Sequence, residues 1–192
     1  MADGPQFRVA KASDAELLLD FMQAYYAFDG HGYDREKARA ALIALLQNSD
    51  FGCAWFILDG DSPVAYAVLC FGYSLEWLGR DAFVDEFYLR EDYRGRGWGR
   101  AAMAFIGNEA RRVGIRVLHL EVVQQNAKAL ELYRGLGFRE HPSTLLSKRI
   151  DPTLRSLRER TATERIYDLS TEPLPLLCFG RSPLSVNVAS SP

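Results

Sequence analysis

A chain of 192 residues, 48% hydrophobic and 25% charged, is long enough to bury a sizeable core and reads as one domain with an appendage. A net charge of −2 argues against bulk nucleic-acid binding, and no apolar run approaches the ~20 residues of a membrane span. Three scattered cysteines (Cys53, Cys70, Cys178) without metal-like spacing read as reduced thiols, and the first residues lack a signal peptide's basic and apolar regions, so a cytoplasmic, metal-free protein is expected.

QFRVA, residues 6–10, reads as a first strand. Ser13 followed by Glu16 forms a capping box and opens a helix through LLLDFMQAYYAF, which Gly30 and Gly32 break. Asp34 caps a second helix, REKARAALIALLQ, with Ala38, Leu42 and Leu45 or Leu46 at helical spacing. The runs FGCAWFILD and PVAYAVLCFGY flank Asp59-Gly60-Asp61, a hairpin signal. SLEWLGR leads into DAFVDEFYL, a fourth strand. After a glycine-rich loop comes a helix with apolar residues at 102, 106, 110 and 113, ended by Gly114. IRVLHLEVV is a fifth strand, Asn126 caps the short helix AKALELYRGL, closed by Gly137, and TLLSKRI reads as a last strand. This order makes a mixed α/β layer. Residues 151–166 are charged and suit one helix; beyond them a Pro- and Ser-rich stretch reads as a disordered tail, with its apolar PLPLLCF as a docking or swapping arm in the rival reading.

The loop YLREDYRGRGWGRAAM, residues 88–103, sits between a strand and a helix. Successive N–H groups in a glycine turn converge into an anion-binding nest, and the helix that follows adds its positive end. Arg94, Arg96 and Arg100 add forked donors for phosphate. A Walker loop fails, because Arg100 and Ala101 follow the last glycine instead of Lys and Ser or Thr. A dinucleotide fingerprint fails on spacing and on its late place in the chain. The run Arg94-Gly95-Arg96-Gly97-Trp98-Gly99 matches Arg/Gln-x-x-Gly-x-Gly/Ala and resembles the pyrophosphate loop of the GNAT superfamily of acyl-CoA-dependent N-acyltransferases. QQNAKALELYRGLGF, residues 124–138, is similar to that family's second signature. The resemblance covers residues 7–150. It implies a mixed, mostly antiparallel sheet of six to seven strands flanked by about four helices. The domain would span residues 6–150, followed by an extension over 151–192, with acetyl-CoA as cosubstrate and a homodimer as the common assembly.

Acyl transfer to an amine needs a neutral amine, and holding a lysine-like amine neutral at pH 7 costs about 4.6 kcal/mol, so a proton acceptor belongs near it. Asp85 and Glu86, inside an apolar strand just before the loop, are the candidates; alternation puts them on opposite faces unless a bulge intervenes. The stretch FVDEFYLREDYRGRGWG is similar to the polyamine-acetylating (spermidine/spermine) branch, where an acidic pair handles the amine. The order of the pair is swapped here, which leaves open which residue is the base. The resemblance also implies that main-chain groups of Phe87, Tyr88 and Leu89 hold the pantetheine arm. It further implies that residues 94–100 hold the pyrophosphate and that Asn126 and Ala129 touch the cofactor. Tyr133, two helical turns after Asn126, is the candidate acid for the leaving thiolate. Phe28, Asp29 and Tyr33, with His31, suit a cationic amine, and Glu76, Trp77 and Asp81 could add to them. His119 reads as a packed strand histidine. The expected function is acetyl transfer to a small cationic amine. The rivals are a non-catalytic acyl-CoA-binding module, a protein-lysine acetyltransferase and a nicotinamide-dependent oxidoreductase.

Overall fold

The computed structural model describes residues 4–148. The chain divides into two units, Met1–Glu140 and His141–Pro192. The expected C-terminal helix and tail lie outside the described residues. So does the end of TLLSKRI, whose described part, residues 144–148, holds no strand.

The first unit begins with β1 (Gln6–Val9) and a 3-10 turn (Ala12–Asp14), followed by α1 (Ala15–Asp29) and α2 (Arg35–Gln47). Here the predicted cap is displaced. The Asp14 carboxylate, not Ser13, receives a backbone donor, the Lys11 N–H at 2.8 Å. Arg8 from β1 reaches the same carboxylate at 2.9 Å, a tertiary contact that local spacing does not show. Gly30 ends α1 in the left-handed region, φ 73°. Asp34 caps α2 as expected, accepting the Lys37 N–H at 3.2 Å. Leu42 is buried, with Ala38, Leu45 and Leu46 half-buried on the same side.

β2 (Gly52–Asp59) and β3 (Ser62–Ser74) form the predicted hairpin around Gly60, and β4 (Gly79–Leu89) returns beside β3. Next come α3 (Trp98–Arg112), β5 (Val117–His119) and α4 (Ala127–Arg134), the last capped by Asn126 on the Ala129 N–H at 3.2 Å. The sheet order is β1-β2-β3-β4-β5. The first three pairings are antiparallel and β4–β5 is parallel. Five strands are present among the described residues, against the six to seven expected. β5 is cut to three residues because no ladder continues beyond His119.

The sheet divides the core in two. One face packs Trp55, Ala67, Leu69, Ala82 and Val84 against Ala102, Met103 and Ile106 of α3. The other packs Phe56, Tyr66 and Val68 against Leu18, Leu19 and Phe21 of α1 and Leu42 of α2. These two faces decide where each functional side chain points.

Candidate active site

The site grows from one irregularity in β4. Val68 pairs with Glu86 but Leu69 pairs with Val84, so Asp85 is an extra residue, a β-bulge. Strict alternation would put residues 84 and 86 on one face. The bulge separates them. Val84 packs into the α3-side core, whereas Glu86 meets Tyr66 of the α1-side core and is 7% exposed. Asp85 is exposed.

A carboxylate this buried needs donors. Tyr66 donates its hydroxyl to Glu86 Oε2 at 2.8 Å, and the Tyr26 phenol from α1 also favours the charged carboxylate. Burial raises the Glu86 pKa above the ordinary carboxylate range; the two phenols pull it back, and the Asp85 charge adds to the rise. Burial and the Glu86 charge push the Tyr66 and Tyr26 phenols upward in turn. Tyr25 is pushed up to about 12, by burial first, then by Asp29, Glu86, Tyr133 and Asp85. That set of neighbours shows α1, β4 and α4 converging on one place.

Tyr66→Phe is expected to move the acidic limb of the kcat/KM pH profile to higher pH. It removes a hydrogen bond to the ionised carboxylate, which raises the carboxyl pKa further. A limb that stays in place would assign it to another group.

Tyr133 is half-buried against the α3-side core, with Phe138 edge-on at 5.8 Å. Burial raises its pKa, so the phenol keeps its proton. Its influence on Tyr25 crosses from the α3 side of the sheet to the α1 side. That crossing fits the edge of β4, where β5 stops opposite Phe83 and Glu86 to Leu89 have no strand partner on that side among the described residues.

Beyond β4 the chain turns through Glu91–Tyr93 into the glycine loop. Gly95 and Gly97 adopt φ of 74° and 85°, and a Cβ added at either would meet nothing within 4 Å. Their conformation calls for glycine, and the space before them is open. Gly97 starts α3 with no side-chain cap. The first N–H of the helical ladder is Ala101's, bonded to Gly97 O at 3.0 Å, so those of Trp98, Gly99 and Arg100 point out of the helix end. Such an arrangement has the free N–H donors and open space that a phosphate-bearing group needs.

The three arginines diverge. Arg94 donates through Nε to Leu89 O at 2.9 Å, and its guanidinium lies 4.3 Å over Phe28 and 5.7 Å over Tyr88. Arg96 lies 5.8 Å over Tyr93. Arg100 donates to Gly135 O at 3.3 Å, tying the loop to the end of α4.

Of the expected acceptor residues, Phe28 is 60% exposed beneath Arg94. Asp29 pairs with His31 at 3.0 Å, and Tyr33 donates to Leu19 O at 3.0 Å, anchoring the α1–α2 connection. Sequence reasoning missed Tyr25, Tyr26 and Tyr66. The signal was PVAYAVL: a tyrosine centred in an aliphatic strand requires a buried acceptor for its hydroxyl.

Residues 16–138 match the model of the acetyltransferase (GNAT) family. The chain belongs to this family. It is similar to the uncharacterized N-acetyltransferase YycN of Bacillus subtilis (strain 168), 39% identical over 71 residues, covering 37% of this chain and 45% of that one. It is also similar to the thialysine N-epsilon-acetyltransferase of Mus musculus, 32% identical over 141 residues, covering 69% and 82% of the two chains. Among solved structures, an integron cassette protein from the mobile metagenome of Cole Harbour Salt Marsh superposes with a TM-score of 0.69 at 33% identity, over 77% of this chain and 91% of that one. The chain spans about half the length of the first curated relatives it matches. The GNAT resemblance read from the two signatures is therefore confirmed.

Proposed function

We propose that this GNAT chain transfers an acetyl group from acetyl-CoA to a primary amine, with a small cationic amine as acceptor. The observation that carries the reading is Glu86, a buried carboxylate turned by the bulge to the part of β4 that has no neighbour beyond β5 among the described residues.

The cradle of Gly95, Gly97 and the first N–H groups of α3 receives the pyrophosphate, and Arg96 and Arg100 flank it. The open edge of β4 suits an extended arm added like a strand along residues 87–89, with Leu89 O already bonded to Arg94. Acetyl-CoA supplies the activated thioester. Glu86 takes the proton from the amine, directly or through water, because its raised pKa brings it closer to neutrality than an ordinary carboxylate. Asp85, exposed beside it, adds attraction for a cation. Tyr133 keeps its proton until the thiolate departs and then donates it. The mouse relative is named for acetylating the Nε of thialysine, which supports an amine acceptor.

Tyr133→Phe is expected to lower kcat by about 10²–10⁴-fold, measured by release of free thiol over a panel of amines, while leaving acetyl-CoA binding unchanged. If the wild-type protein binds acetyl-CoA and acetylates no amine, it is a binding module and the catalytic assignment fails.

A further inference from the structure

A second acidic group stands on the Glu86 side of the sheet. In β4, Asp81 and Phe83 alternate with Ala82 and Val84, whose side chains pack toward α3, so the first two face the α1 side, as Glu86 does beyond the bulge. The Asp81 side chain is 5% exposed, and its Oδ1 has no hydrogen-bond partner among the described residues. Among the described residues its ion-pair partner is His119, whose Nε2 lies 3.4 Å from Oδ2 and also makes no hydrogen bond. His119 ends β5 opposite Phe83. Its ring stacks 6.5 Å from that of Phe83, with Trp77 at 6.3 Å.

Burying a carboxylate with one oxygen unbonded is costly unless a cation offsets it. Aromatic rings and a histidine around such a carboxylate make a box for an ammonium group, which the ring faces also attract. Asp81 lies behind His119, and the imidazole, 28% exposed, is the reachable part. Phe83 and Glu86 are three residues apart on one bulged strand, about 10 Å at most at ~3.3 Å per residue.

We propose that the Asp81–His119 pair, walled by Trp77 and Phe83, receives the distal ammonium of a short diamine whose other amino group lies at Glu86. The proposal rests on the acetyltransferase reading above and narrows its acceptor. The ammonium donates to the imidazole, Asp81 supplies negative charge through the ring, and Trp77 and Phe83 present aromatic surface. A monoamine of equal length would set a methyl group there and leave the buried carboxylate uncompensated.

The test is steady-state kinetics on the full chain with cadaverine and n-pentylamine, which share five carbons and differ in the second amino group. Wild type is expected to favour cadaverine in kcat/KM by about tenfold or more. Asp81→Asn should remove most of that preference, with an unchanged circular dichroism spectrum and undiminished acetyl-CoA binding showing that the variant folds. If Asp81→Asn loses activity on both amines, His119→Gln decides: loss of the cadaverine preference supports the proposal, and a retained preference overturns it. Equal use of both amines by wild type, or an unchanged preference in Asp81→Asn, overturns it while leaving the acetyltransferase reading standing. Acetyl-CoA binding with neither amine acetylated removes the small-amine reading, and the proposal falls with it.

Discussion

Glu86→Gln is expected to lower kcat/KM by about 10²–10⁴-fold and, at pH 7, to raise the melting temperature. The two effects have one cause. The fold holds the Glu86 carboxyl above its ordinary pKa of 4.5, chiefly by burial. Below pH 4.5 the group is protonated in both folded and unfolded chains, and its contribution to stability is complete. As pH rises through the raised folded value, the folded chain must bury a charge and that contribution is lost. Glutamine has no charge to bury and still accepts a hydrogen bond from Tyr66. The thermal advantage of the variant should therefore open above pH 4.5 and close again in acid. A variant less stable than wild type at pH 7 would mean that the Tyr66 hydrogen bond and the Tyr26 phenol together outweigh burial. A kcat/KM within about tenfold of wild type would remove Glu86 from proton transfer, the term worth ~10²–10⁴, and leave Asp85 as the base.

Gly97→Asp should weaken acetyl-CoA binding by about 100-fold or more, read by calorimetry with NADP as control. At φ 85° an aspartate is strained but tolerated better than most side chains, and its Cβ would meet nothing within 4 Å. The fold should survive. What changes is the end of α3, where a fixed carboxylate would occupy the space and the N–H groups assigned to the pyrophosphate. Undiminished binding would show that the loop is not the anion site, and the role given to Tyr133 would fall with it. NADP binding without acetyl-CoA binding would point to nicotinamide chemistry.

The signals that could be read from sequence were local. Asp34 and Asn126 cap their helices through bonds to residues three positions on, and Gly60 turns a hairpin between adjacent strands. Ser13 does not cap α1 because it lies inside the 3-10 turn Ala12–Asp14, which puts Asp14 at the N-cap position. The acidic pair was visible beside the loop, but which member is buried depends on the register of β4 against β3, and alternation alone cannot reveal an inserted residue. Tyr66 and Tyr26 reach Glu86 from two other elements, so their role follows from packing. The meeting of Asp81 and His119 depends on a parallel pairing between strands separated by α3.

The side of β4 beyond Phe83 that has no strand partner among the described residues also bears on how the protein behaves in the tube. A row of unsatisfied backbone groups along a strand is a template for another chain, and sheets with such rims are prone to self-association. A ligand arm lying along residues 87–89 would cap that rim as it fills the active site. Preparations purified and stored with CoA should therefore scatter less light on concentration than the same protein without it.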